Sequence, residues 1–271
     1  MPLISVIMPA YNAARFISEA IASVMDQTWT NWELIVVNDG STDGTSTILD
    51  RMTDPRIRVL HQENQGVSRA RNAALEIMRG EYVAFLDADD VLPPSSLRAR
   101  LDVLRESPSV GFADGAVWAL DDTTRELAPL YVPTFSGPPF NELMCLSATC
   151  FFGPTWMIRR SIIGDRRFPP HMKHAEDLAF YLSICRDATY AHTDEPVLHY
   201  RRGHGSAMSD LQGLDRGYQA LFRHASALVP APTDHQLRTM WARIQRMMFR
   251  GFLKRGALLS AVRVLLRSRP T

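Results

Sequence analysis

Lysine is almost missing from this chain: Lys173 and Lys254 stand against 28 arginines, and the acidic residues stop at Asp234. The arginine excess has no functional weight by itself, because coding bias produces it as readily as phosphate binding does. The end of the acids matters more. From Gln236 onward nine basic residues meet no local opposite charge, so that tail must find something anionic or stay wet. Cysteine is scarce too. Cys145, Cys150 and Cys185 form neither a CxxC pair nor a zinc pattern, and their odd number argues against a disulfide framework, which fits a reducing, cytosolic setting. No apolar run reaches the length of a membrane span. The opening Met-Pro-Leu-Ile-Ser-Val-Ile-Met-Pro lacks a basic leader and reads as a first strand, not a signal peptide. No GxGxxG follows that strand and no GxxxxGK(S/T) occurs anywhere, which removes the usual evidence for a dinucleotide enzyme or a P-loop NTPase. There is no internal repeat and no low-complexity segment.

What is present is an ordinary folding composition. With 271 residues, 46% apolar and 22% charged, the chain can bury a large core as one domain or two joined lobes. Residues 3–8 are apolar and β-branched, and Ile17, Ala20, Ile21 and Val24 then recur at helical period up to about Gln27. Residues 34–37 read as a strand covered on both faces. A helix over 43–52, a strand over 57–60, a helix over 67–78 and a strand over 82–86 follow. This β-α-β-α-β-α-β order predicts an α/β fold with a mostly parallel sheet and helices on both faces. Beyond Pro93 and Pro94 the expectations are a helix over about 95–105, a strand over 110–120, and an irregular stretch over 121–150 broken by prolines, with 140–146 helical. A strand over 155–159, a helix over 176–186, a strand over 197–200 and a helix over 214–228 complete the pattern.

In such sheets ligands sit beyond the carboxyl ends of the strands. Three polar clusters arrive there, at residues 9–12, 38–41 and 87–90. Asp87, Asp89 and Asp90 repel one another, so together they call for a cation or for a fully solvated turn, and Asp90 could instead cap the next helix. Because Asp39 and Gly40 reach the same crevice, oxygen ligands for Mg²⁺ or Mn²⁺ bridging a diphosphate are favoured. Tyr11 offers a ring to a base, and Asp39 an acceptor for a base N–H. Core packing of Tyr11 and turn formation at Asp39-Gly40 remain open beside those roles.

These blocks closely resemble the family-2 glycosyltransferases of GT-A fold. The resemblance rests on Ser5-Val6-Ile7-Met8-Pro9-Ala10-Tyr11-Asn12, on 21–28, on Glu33 through Thr45, on Asn64-Gln65-Gly66-Val67-Ser68-Arg69-Ala70-Arg71-Asn72, and on Phe85-Leu86-Asp87-Ala88-Asp89-Asp90. It implies a nucleotide-sugar donor, most often a UDP-sugar, and transfer with inversion. Pro9, Ala10, Tyr11 and Asn12 would line the base pocket, Asp39 would meet the uracil ring, and Arg71 would help hold the nucleotide region. Asp87 and Ala88 would lie near ribose and metal, with Asp89 as the principal metal ligand. Gly66 and Asn72 are read as setting backbone and helix geometry. On this basis residues 1–95 form a nucleotide-sugar-binding half, 96–210 the acceptor-binding and catalytic half of the same GT-A domain, and 211–271 a basic helical extension.

An inverting transfer needs one carboxylate to take the proton of the attacking hydroxyl. Glu176 and Asp177 open a helical pattern, where acids are also stabilised simply by the helix dipole. The resemblance implies that Asp177 is the base and that Glu176 orients acceptor groups or the helix start. Tyr200-Arg201-Arg202-Gly203-His204-Gly205-Ser206 resembles a mobile loop of the family lying over diphosphate and metal. His204 would bind metal or phosphate, Arg201 would neutralise leaving-group charge, and Ser206 would bond a phosphate; a plain surface loop is the competing account.

Residues 236–255 set Leu237, Met240, Trp241, Ile244, Met247, Met248 and Phe252 on one helical face, with Arg243, Arg246, Arg250 and Lys254 mostly opposite. Packing on the domain, partner docking and lying in an anionic membrane interface all fit this pattern. The expectation adopted is peripheral attachment to the inner face of the cytoplasmic membrane through the C-terminal helices, which would serve a glycan or lipid-linked oligosaccharide acceptor. The rival functions are a nucleotidyltransferase acting on a sugar phosphate and a non-enzymatic anion- or nucleic-acid-binding scaffold. No standard DNA- or RNA-reading motif accompanies the arginines, so no nucleic-acid partner is expected.

Overall fold

The computed structural model of the chain describes residues 1–203 and 210–270. Strands β1 (Ile4–Ala10), β2 (Trp32–Asp39) and β4 (Tyr82–Phe85) are buried along their whole length, as continuous apolar runs require when both faces of a sheet are covered. Their side chains alternate between two cores. Ile4, Val6, Met8, Leu34 and Val36 meet Ile17, Ala20, Ile21 and Val24 of helix α1 (Ile17–Met25) on one face. Ile7, Ile35 and Val37 meet Ala70 and Ala74 of α3 (Val67–Ile77) on the other. Strand β3 (Ile57–Gln62) completes a parallel set in the order β3-β2-β1-β4. Helix α2 (Thr45–Leu49) is shorter than its pattern because Asp43 is spent on the turn before it. One Asp43 oxygen accepts from the Thr45 amide at 2.9 Å, and the other from the Ala14 amide at 3.0 Å.

The second half of the sheet mixes directions. After α4 (Ser96–Glu106) come β5 (Val110–Asp121), β6 (Leu127–Tyr131), α5 (Phe140–Met144), β7 (Met157–Arg159), α6 (Arg160–Ile163), α7 (Glu176–Ile184) and β8 (Thr189–Arg202). Strand β7 lies between β4 and β5 and is antiparallel to both, β6 pairs antiparallel with β5, and β8 pairs parallel with β5. The stretch expected to be irregular over 121–150 therefore contains a strand. Pro129 is tolerated in β6 because the strand lies at the end of the sheet order, with a ladder on one side only. Strand β8 is much longer than residues 197–200. It carries Pro196 through a register shift against β5, and such bulges hide the two-residue period on which a sequence reading depends.

Helices α8 (Leu211–Ser226), α9 (Asp234–Lys254) and α10 (Leu258–Leu266) close the chain. Thr233 and Gln236 form a capping box that starts α9. Its apolar face, Met240, Trp241, Ile244, Met248 and Phe252, is buried in the main core, with Trp241 edge-on to Phe222 at 5.2 Å. This corrects the expectation that the Trp241–Ile244–Met248 face lies in a membrane interface: it packs into the main core. The tail also finds opposite charge within the molecule, since Arg267 pairs with Asp215 at 2.9 Å and Arg269 with Asp234 at 2.8 Å. Among the described residues no helix is long and apolar enough to cross a membrane.

Candidate active site

The carboxyl ends of β1, β2 and β4 lie side by side, because the three strands are parallel neighbours, and ligands of such sheets sit beyond those ends. At the end of β1, Pro9 and Ala10 are buried while Tyr11 is 52% exposed. Asn12, in a left-handed conformation at φ +50°, turns the chain there; its Oδ1 accepts from the Thr42 amide at 2.8 Å, and its own amide donates to Ser41 Oγ at 3.0 Å. At the end of β2, Asp39 is buried and accepts three hydrogen bonds, from Gln62 Nε2 at 2.6 Å, the Gln65 amide at 2.9 Å and the Gly66 amide at 2.7 Å. The carboxylate expected to meet a base thus folds the 62–66 segment. Gly40 is required beside it, because φ is +71° and a Cβ there would stand 2.5 Å from the Asn64 amide nitrogen.

The acids after β4 are held from several sides. Ala88 and Asp90 are buried, whereas Asp87 and Asp89 are half-buried. Asp90 accepts from the Arg201 amide at 2.8 Å, and burial, followed by the charges of Asp89 and Asp87, pushes its carboxyl well above the usual carboxylate range. Arg201 departs from the expectation of a leaving-group cation. Its side chain is enclosed, with Nε donating to the Asp89 carbonyl at 2.8 Å, Nη1 to Asp122 at 2.9 Å and Nη2 to Glu19 at 2.7 Å. Its charge is spent on two protein carboxylates, and it fastens the acidic loop to β8, α1 and the β5–β6 turn. His204 and Ser206 lie outside the described residues.

Arg71 joins this loop to the acidic pair of α7. The guanidinium is buried; Nη2 donates to Asp87 Oδ1 and Nη1 to Glu176 Oε1, each at 2.9 Å, and the group lies 5.2 Å from the centre of the Phe168 ring. Burial works against its charge, but Asp87, Glu176 and Asp177 more than offset that and hold it firmly protonated. The same helix positions the approach to α7. Asn72 exchanges two hydrogen bonds with the Phe168 backbone at 2.9 and 2.8 Å, and Ser68 Oγ donates to the Met172 carbonyl. Ala175, left-handed at φ +59°, then sets the start of α7, a conformation that costs an L-residue energy and persists only where its surroundings impose it. Helix α8 can approach this corner because residue 217 is glycine: a Cβ there would stand 2.6 Å from His174 Cβ.

Asp177 follows Glu176 in the first turn and accepts from the Leu178 amide at 2.7 Å. Desolvation first, then the neighbouring Glu176, push its carboxyl up to about 7, against the opposing pull of Arg71. A carboxyl in that range exchanges a proton readily near neutral pH. Among the described residues no cluster of three or more His, Cys, Asp or Glu side chains is disposed to hold a metal ion by itself. The oxygen donors after β4 nevertheless suit a hard divalent cation, which characteristically takes one or two carboxylates and completes its shell with substrate phosphates and water. Gln62, Glu19 and Asp122 were not singled out in the sequence. No local spacing marks them, since Arg201 reaches its two carboxylates across 182 and 79 residues.

The sequence pattern described as Glycosyl transferase family 2 matches residues 5–167. TuaG of Bacillus subtilis (strain 168), named as a glycosyltransferase of teichuronic acid biosynthesis, is 33% identical over 253 residues, covering 90% of this chain and 94% of TuaG. WfgD of Escherichia coli, a UDP-Glc:alpha-D-GlcNAc-diphosphoundecaprenol beta-1,3-glucosyltransferase, is 33% identical over 187 residues, covering 68% of this chain and 70% of that protein. Other relatives are much longer: a glycosyltransferase of Rickettsia bellii matches 67% of this chain with 26% of its own length. Among solved structures, S. aureus TarS 1–349 in complex with UDP-GlcNAc has a TM-score of 0.73 at 21% identity, over 98% of this chain and 81% of that one. The mannosyltransferase PcManGT of Pyrobaculum calidifontis, in complex with GDP-Man and Mn²⁺, has a TM-score of 0.68 at 22% identity, over 98% and 74%. These two likenesses concern the fold.

Proposed function

The chain belongs to glycosyl transferase family 2 and is a glycosyltransferase of GT-A fold, and from that premise we propose that it transfers a sugar from a UDP-sugar, with inversion, to a hydroxyl of a glycan or lipid-linked glycan. The observation that carries the reading is the Arg71 clamp, which holds Asp87 of the donor side and Glu176 of the acceptor side on one guanidinium. Residues 1–95 act as the donor half, 96–210 as the acceptor half and 211–271 as the supporting extension.

In this reading Pro9, Ala10, Tyr11 and Asn12 form the base wall, with the exposed Tyr11 ring stacking on uracil and Asp39 keeping the opposite wall folded. Asp87 and Ala88 face the ribose and Asp89 holds the cation. Mg²⁺ or Mn²⁺ held there would supply positive charge to the departing diphosphate. Asp177 takes the proton of the acceptor hydroxyl, whose oxygen bonds to the anomeric carbon as the carbon–oxygen bond to the diphosphate breaks, releasing UDP. Glu176, fixed by Arg71, positions the helix start. Arg201 is assigned to holding the Asp89–Asp90 backbone in place, and His204 and Ser206 keep the phosphate-binding roles that the family resemblance implies. The UDP donor is supported by the names of WfgD and of TarS in complex with UDP-GlcNAc, and the lipid-linked acceptor by the name of WfgD.

The test is a panel of nucleotide-sugars incubated with Mg²⁺ or Mn²⁺ and scored for release of nucleoside diphosphate. Slow metal-dependent release of UDP from one donor is expected without any acceptor. Release of pyrophosphate from a nucleoside triphosphate in the presence of a sugar phosphate, with no UDP formed, would replace the reading with nucleotidyl transfer.

A further inference from the structure

Helix α10 turns its small apolar side inward and its large apolar side outward. Ala261 and Val264 are buried against α9, and Gln245 of α9 donates to the carbonyls of Val264, Leu265 and Arg267 at 3.0, 3.1 and 3.0 Å. Leu258, Leu259, Val262, Leu265 and Leu266 are exposed, with Leu259 at 78% and Leu266 at 81%. At 100° per residue these five fall in one stripe. Single exposed leucines are ordinary; five on one face of a nine-residue helix are not.

The charges around the stripe select its occupant. Arg263 is exposed on α10 itself and Lys254 at the end of α9 just before it, and no acid follows Asp234. Asp215 and Asp234 are paired with Arg267 and Arg269. A second copy of the chain would bring the same positive charge against itself. A helix of this length is also only about 13 Å long, so it offers much less than the ~800 Å² per partner of a stable protein interface. A planar anionic surface satisfies both the apolar stripe and its basic border.

We propose that the outward face of α10 is a docking surface for an anionic lipid bilayer. The inference goes beyond the transfer reaction and needs neither donor nor acceptor to be tested. It narrows the expectation drawn from the sequence, attachment through the C-terminal helices, to α10, since the α9 face that carries Trp241 is inside the protein.

The experiment is co-sedimentation of the full chain with vesicles of mixed phosphatidylglycerol and phosphatidylcholine, beside vesicles of phosphatidylcholine alone. Binding to the anionic vesicles is expected, weakened by added salt and reduced roughly tenfold or more by the pair Leu259→Glu and Leu266→Glu. Because these side chains point outward, the variant should melt with the parent and keep its slow UDP release in vesicle-free solution. A second pair, Lys254→Glu and Arg263→Glu, leaves the stripe intact and should also weaken anionic binding. Failure of the parent to sediment with anionic vesicles would overturn the proposal. So would equal sedimentation of parent and charge-reversed variant, or dimerisation of the parent that Leu259→Glu and Leu266→Glu abolish while vesicle binding persists.

Discussion

The acids that follow β4 and the acids that open α7 share one counter-ion, Arg71, and differ in most of what surrounds them. Asp87 and Asp89 sit half-open at a strand end, beside a backbone that Arg201 fastens in place. Asp177 sits where ionisation is opposed by desolvation and by Glu176, and its carboxyl rises to about 7. In the proposed reading the same side-chain chemistry serves two tasks. A carboxylate meant to share a cation gains from staying accessible to the substrate's phosphates, whereas one meant to accept a proton gains from being costly to ionise.

The comparison breaks most completely if its shared counter-ion is removed. Arg71→Met should leave Glu176 and Asp87 without their partner and lower unfolding free energy by about 3 kcal/mol, the low end of the range for a broken buried pair because Asp87 can still turn toward water. Denaturant titration should show that loss together with failure of both donor turnover and transfer; a stable variant with one of the two functions intact would dissolve the link. Next come two variants that should separate the regions. Asp89→Ala should abolish metal-dependent UDP release while the fold melts normally. Asp177→Asn should keep donor affinity and reduce single-turnover transfer by roughly two to four powers of ten. If Glu176→Gln alone carries that kinetic loss, the base is one residue upstream.

A finer effect lies in the pH dependence. Below about 7 the transfer rate should fall about tenfold per pH unit as Asp177 becomes protonated, and that limb should vanish in Asp177→Asn; a parent profile flat from pH 5 to pH 8 would speak against Asp177. The smallest effect concerns stability. The folded carboxyl titrates above its unfolded value of 3.8, so between those two values the folded state holds more protons and stability falls as pH rises. Asp177→Asn removes that penalty, and its melting temperature should exceed the parent's at pH 8 by a margin that shrinks toward pH 4.

What could be read without coordinates was what is local. The runs at 34–37 and 82–86 announce covered strands, and the acids at 87–90 follow directly from one of them. What escaped depends on distant partners. Tyr-Arg-x-x-His spacing says nothing of Glu19 and Asp122, which enclose Arg201, and Asp39 shows its function only once Gln62, Gln65 and Gly66 come back to it. Strand β6 was hidden by Pro129, whose penalty depends on whether a neighbour needs its missing donor. Helical period found the apolar face of α9 but not what covers it, because amphipathicity is the same whether the apolar side meets a core or a membrane.

The placement of β7 bears on how such an enzyme can be rebuilt. Residues 157–159 lie between β4 and β5, with Arg159 donating to the Val110 carbonyl at 2.7 Å and to the Tyr82 hydroxyl at 3.0 Å. A chimera joined near residue 95 would pair β4 with a foreign β7, and a poor match there would leave a strand edge open, a template for aggregation. The two halves are consequently poor modules for exchange between relatives. A new acceptor preference is more safely sought by single substitutions that leave residues 157–159 in place between β4 and β5.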